Sequence, residues 1–179
     1  MLSNTAQKGF TILEMIIVIF LVSFSLVAIY GAFSVLVILN QDSSDRLEVA
    51  YLAQEGLEII RNIRDANWNN DFPWLQSLDV CQTGCQVDYK TNGTNNLPTT
   101  FGQDGNYLDT DSGFYGYSIA NPVEITKFKR KITMNVINDQ NSNSYAVRVF
   151  SEVFWTSKPI LGLPQNQSIK VETILYDWQ

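Results

Sequence analysis

Residues Met15–Leu39 read MIIVIFLVSFSLVAIYGAFSVLVIL, and no charged residue occurs from Met15 to Gln41. Twenty of the 25 residues in Met15–Leu39 are Ala, Val, Ile, Leu, Met or Phe. As a helix this stretch would span roughly 37 Å, against about 30 Å of bilayer hydrocarbon. A helix apolar on every side needs either lipid or a large protein around it, and a 179-residue chain is too small to supply the second. The run predicts a membrane span. It is longer than the apolar core of a removable secretory signal, and Val-Ile-Leu-Asn-Gln-Asp follows it with no small-x-small cleavage site.

The flanks add orientation. Lys8 is the only base before the span, while Asp42 and Asp45 come first after it, which predicts a cytoplasmic N-terminus and an exported remainder. Just inside the apolar segment stands Glu14, in Lys8-Gly9-Phe10-Thr11-Ile12-Leu13-Glu14-Met15. A carboxylate in a membrane segment is costly unless paired and marks a functional position. The plain alternative is that Glu14 snorkels to the headgroups, toward Lys8.

Lys8-Gly9 followed by Phe10-Thr11-Ile12-Leu13-Glu14 and a long apolar run resembles the N-terminus of type IV prepilins and related pseudopilins. The resemblance covers about residues 7–39. It implies a leader of residues 1–9, removed by a prepilin peptidase between Gly9 and Phe10, and N-methylation of Phe10. It also implies that Glu14 neutralises the Phe10 amine of a neighbouring subunit, as an assembly register device; buried pairs of this kind specify register better than they add stability. Glycine suits the cut because it lets an extended chain lie close in a protease groove. Gly31 stands where many pilins of the family carry proline; it marks either a place where the helix loosens or a close contact between helices.

The bulk composition narrows the rest. Lys and Arg number 12 against 18 Asp and Glu, a net charge of −6, which argues against nucleic-acid binding over the surface as a whole. Histidine is absent, which removes Ser-His-Asp and Cys-His nucleophile pairs, imidazole zinc sites and the near-neutral proton shuttle. No cofactor is expected. Cys81 and Cys85, the only cysteines, lie beyond the span in a segment read as exported, where a structural disulfide fits. A redox pair more often has two intervening residues. Cys81-Gln82-Thr83-Gly84-Cys85 reads as a tight hairpin with Gly84 in the left-handed conformation.

After the span, Val49, Leu52, Gly56, Ile59 and Ile63 recur at helical spacing, with Ala53 and Ile60 beside them. This predicts one nearly continuous helix from Phe10 to about Asp65. Glu55, Glu58, Arg61, Arg64 and Asp65 form its solvated face, with pairing of Arg61 to Glu58 and to Asp65. Residues 72–122 are rich in Asn, Asp, Gly, Thr and Ser, with short strands at Cys85–Tyr89 and Phe114–Ile119. Asp109 and Asp111, in Asp109-Thr110-Asp111-Ser112-Gly113, are candidate calcium ligands, although Ala120 stands where a calcium loop places its closing glutamate; an acidic turn is the competing reading. Asn92-Gly93-Thr94 and Asn166-Gln167-Ser168 match the glycan acceptor pattern. Lys127–Ile137, Tyr145–Thr156 and Ile169–Trp178 alternate and predict an antiparallel meander. In the first of these, Phe128, Ile132, Met134 and Val136 share the core face, and Lys127, Lys129, Lys131 and Thr133 the outer one.

The expected fold is α+β: a long N-terminal helix whose outer half packs on a C-terminal antiparallel sheet of four or so strands. The expected division is a leader (1–9), a membrane half of the helix (10–39), an amphipathic half (40–66) and a β-rich extracytoplasmic domain (67–179). The resemblance implies a structural subunit, not an enzyme. It would sit in the inner membrane before joining other pilins, through this helix, in a cell-surface or periplasmic filament. A minor pilin fits the long irregular middle; a pseudopilin of a type II secretion or competence DNA-uptake machine is the alternative. A membrane-tethered extracytoplasmic enzyme or binding protein is the rival of another class, but no Ser, Cys or carboxylate cluster stands in a recognisable catalytic setting.

Overall fold

The computed structural model describes residues 9–103, 105–111, 113–117, 124–140, 143–157 and 164–177, with the side chains of Asp111 and Glu124 excepted. Residues 1–8 of the expected leader, Ser112, Ile119, Ala120 and Trp178 lie outside the described residues. One helix, α1, spans Ile12–Asn69. The strands are β1 (Cys85–Gln86), β2 (Thr99–Thr100), β3 (Asp109–Asp111), β4 (Phe114–Gly116), β5 (Glu124–Ile125), β6 (Lys129–Asn138), β7 (Ser144–Ser157) and β8 (Gln165–Tyr176). The chain divides into two compact units, one up to Gln41 and one from Asp42 to Gln179.

In the first unit α1 is exposed around its whole circumference, with only Ser34 and Ile38 partly covered. It is the one described helix long and apolar enough to cross a membrane. Its serine hydroxyls are satisfied locally. Ser23 donates to the Ile19 carbonyl at 2.8 Å, Ser25 to Leu21 at 2.8 Å and Ser34 to Tyr30 at 3.0 Å, so these hydroxyls need no water. Nothing approaches the position of a Cβ on Gly31 within 4 Å.

The second unit is an α+β body of pilin-like architecture. β2-β1-β6-β7-β8 form a five-stranded antiparallel sheet, and β4-β3-β5 a separate three-stranded one. β6, β7 and β8 form the expected meander because their apolar residues alternate: Ile132, Met134, Val147, Val149, Val153, Trp155 and Leu175 point to one face and are buried. Against that face lie Val49, Leu52, Ala53, Gly56, Ile59, Ile60 and Ile63 of α1, all buried. Gly56 sits at the closest approach. A Cβ there would fall 2.6 Å from Ser151 Oγ, 2.8 Å from Ile132 Cδ1 and 3.0 Å from Arg130 Cδ.

The helix ends one turn later than Asp65. Asn67 is buried and its amide donates to the carbonyls of Trp74 (3.3 Å) and Gln76 (2.9 Å). Phe72 N–H then reaches the Asn67 carbonyl at 2.9 Å, and Asp71 N–H reaches Trp68 at 3.1 Å. With Asp71 at φ 57°, this is a Schellman close with aspartate in the place glycine usually takes, and Pro73 follows. The helix also starts later than Phe10, because Thr11 caps it.

The charged face is only partly solvated. Arg61 pairs with Glu58, but Asp65 pairs with Arg64, not with Arg61. Arg64 is itself buried, under Trp68. Glu55 turns inward to Arg130 Nη1 at 3.0 Å. Arg130 is fully buried and also donates to the carbonyls of Leu52 (2.9 Å) and Val87 (2.6 Å). One guanidinium thereby links β6 to the helix backbone and to the segment after β1. Lys127, on the outer side, pairs with Asp45.

The middle region departs most from expectation. The segment before Cys85 is not a hairpin but a 3₁₀ turn, Asp79–Gln82, running into β1. Gly84 does take positive φ, at 114°. β1 is two residues long instead of Cys85–Tyr89, because Asp88 leaves the ladder to accept hydrogen bonds from Lys90 N–H, Thr91 Oγ1 and Tyr117 N–H. β4 stops at Gly116. Leu108, fully buried, joins the small sheet to the large one: its N–H reaches the Phe128 carbonyl and its own carbonyl accepts from Thr126 N–H, both at 2.9 Å.

Candidate functional site

The start of α1 is built by four residues. Thr11 Oγ1 accepts from Glu14 N–H at 3.2 Å, and the first intrahelical bond runs from Met15 N–H to the Thr11 carbonyl, also 3.2 Å. Thr11 is thus the N-cap, and Thr11-Ile12-Leu13-Glu14 has the Thr-x-x-Glu spacing of a capping box. That spacing is visible in the sequence, and sequence reasoning missed it. The cap places the Glu14 carboxylate in the first turn, where the helix dipole favours negative charge. Gly9 and Phe10 precede the cap as exposed, non-helical chain, and Phe10 is 77% exposed. Among the described residues the Glu14 carboxylate has no hydrogen-bond or ion-pair partner. Lys8, its suggested headgroup-side partner, lies outside the described residues.

Chemically, this start offers an exposed, non-helical peptide at Gly9–Phe10, followed by a capped helical turn. Cutting that peptide would create a cationic amine on Phe10, four positions before the Glu14 carboxylate. A cation and an anion on one exposed apolar rod can each find a counter-charge on a second copy of the rod.

The other candidate residues stand elsewhere. Cys81 and Cys85 form a disulfide with Cα atoms 4.5 Å apart. Both are fully buried in a cluster with Leu57, Ile60, Ile63, Trp74 and Val87, so the bridge fastens the 3₁₀ turn to β1 inside the core. Asp109 and Asp111 belong to β3, paired with β4 and β5, and not to a loop. Asp109 is buried, and the Asp111 side chain is outside the described residues. Among the described residues no three of His, Cys, Asp and Glu gather as metal ligands. Asn92, in the first glycan pattern, spends its side-chain oxygen on the N–H groups of Thr94, Asn95 and Asn96.

Comparison with known proteins rests on the same N-terminal stretch. Residues 4–30 match the family model described as the prokaryotic N-terminal methylation motif. No curated protein and no solved structure matches the chain. The match takes in Gly9, Phe10, Thr11, Glu14 and the first half of the exposed apolar helix, and the body that follows is α+β with a five-stranded antiparallel sheet. The chain carries the prepilin-type signal of type IV pilins and pseudopilins, at the head of a pilin-like fold.

Proposed function

We propose that this protein is a minor pilin-like subunit, held by α1 in the inner membrane with its N-terminus in the cytoplasm before it joins a filament. A prepilin peptidase cuts between Gly9 and Phe10, removing residues 1–9, and the new Phe10 amine is methylated. Residues 10–39 then form the membrane and filament-core half of the helix, residues 40–66 its amphipathic half and residues 67–179 the exported body. Glu14 accepts the Phe10 amine of the neighbouring subunit, so two charges enter the apolar bundle only as a pair. The role is structural and not enzymatic.

The observation that carries this reading is the coincidence of the methylation motif with a helix segment whose apolar side chains stand exposed among the described residues. Mass spectrometry of protein from its native membrane tests the processing step. The expected mass lacks residues 1–9 and gains one methyl group on Phe10; an intact N-terminus in peptidase-competent cells rejects it. Pseudopilins of secretion or competence machines share the motif. Immunogold labelling of sheared surface filaments separates the two: label along or at the tips of pili supports the minor pilin.

A further inference from the structure

The two edges of the five-stranded sheet differ. β2 has two residues, whereas β8 has twelve and pairs with β7 along its length; no described strand pairs with its other side. β8 contains neither proline nor glycine, and Lys170 and Glu172 are its only charges, both exposed on the outer face. On the inner face Ile169 and Val171 pack against the core but stay partly open at the edge. At its end the Tyr176 carbonyl accepts from Arg64 Nη1 at 3.4 Å; the rest is a long edge with no described strand on it, and such an edge presents backbone groups to any strand that fits.

The registers indicate which strand fits. Across the outer face Lys131 stands opposite Glu152, and Glu152 opposite Lys170, a row of alternating sign that ends at the edge on a cation. The next row runs Thr133, Phe150, Glu172 and ends on an anion. We propose that β8 is a self-association edge, pairing antiparallel with β8 of a second copy about a two-fold axis at Val171. That register sets Lys170 opposite Glu172 of the other copy, twice, and gives every residue from Asn166 to Tyr176 a partner. Sliding one residue turns the apolar face outward. Sliding two places Lys170 opposite Lys170, or Glu172 opposite Glu172. The charges therefore select one register.

The same axis fixes the relation of the two bodies. Val49 and Leu52 lie with Val153 and Ile169, and Ile60 and Ile63 with Val147 and Leu175, so this part of α1 runs in the direction of β8. A two-fold normal to the sheet reverses that direction. The Val49–Ile63 segments of the two paired copies therefore run antiparallel to each other.

The test uses the full-length chain in detergent micelles, followed by sedimentation. Wild type should form a reversible dimer. Lys170→Glu and Glu172→Lys, each alone, place like charges opposite one another and should weaken it about tenfold or more. An equimolar mixture of these two variants should dimerise as well as wild type, which a folding defect would not allow. Val171→Cys should cross-link to itself under mild oxidation faster than Asn135→Cys, on the exposed face of β6. A monomeric wild type, single variants that dimerise normally, a mixture that stays apart, or equal cross-linking of the two cysteines overturns the proposal.

Discussion

The two halves of α1 use similar apolar residues to opposite ends. From Ile12 to Leu39 nearly every side chain is exposed, and the serines bond to their own helix. From Val49 to Ile63 the apolar residues occupy one face, and that face is buried against the sheet. The second half draws its stability from tertiary packing, as most helices in water do. Among the described residues the first half shows no such burial, and under the proposed function lipid or other copies would cover it. In the body specificity comes from shape complementarity; in the rod, under the proposed function, it would rest on a single charged residue, Glu14.

The largest expected effect tests that charge. Glu14→Ala should leave targeting, cleavage and the body intact while sharply lowering entry into filaments, because breaking a buried ion pair costs about 3–5 kcal/mol. Glu14→Gln should do little better, since it keeps shape without charge. The ratio of filament-borne to membrane-borne protein measures both, and normal ratios would reduce Glu14 to a carboxylate that snorkels to the headgroups.

Two glycines sharpen the contrast next. Gly56→Ala forces a methyl into Ser151, Ile132 and Arg130 and should destabilise the body by about 1–3 kcal/mol. Gly31→Ala meets open space and should leave the body's stability unchanged. All four tryptophans follow Asp42 in the sequence, so denaturation followed by their fluorescence reads the body alone. Equal effects from the two substitutions would show that the halves do not differ as described.

A smaller effect is expected at the bridge. Alkylation without reduction should label neither cysteine. Replacing Cys81 and Cys85 together by Ala should cost about 2 kcal/mol or less, because the closed loop is short. A much larger loss would mean that the pair's packing beside Trp74 and Val87 matters more than the crosslink.

The parts legible in the sequence were those with a long period. The apolar run, the 3–4 spacing from Val49 to Ile63 and the alternation in β6 to β8 each repeat often enough to identify an element. The helix end was not legible, since Asp71 fills a position usually marked by glycine and the deciding contacts of Asn67 come from Trp74 and Gln76. β2, β3 and β5 are too short and polar to show any period, and β4 is shorter than the Phe114–Ile119 strand expected; β3 to β5 are held beside the large sheet by Leu108 and Asp88, while β2 pairs with β1 within it. Arg130 escaped notice because an arginine in the middle of a lysine stripe looks like one more surface cation. Its parity, shared with Phe128 and Ile132, was the signal that it faces the core. At the N-terminus the motif located the charged site, while the capping role of Thr11 had to be read from the geometry.

The three serines of the rod have a consequence for its movement between surroundings. Each hydroxyl proton is already committed to a carbonyl one turn back, so passing from lipid to a bundle of protein breaks none of these bonds and requires none to be replaced. Such a rod is nearly indifferent to which oily neighbour receives it. Under the proposed function, the free-energy difference between lipid and bundle would then rest on the few atoms of the charged end and on how closely the rods fit.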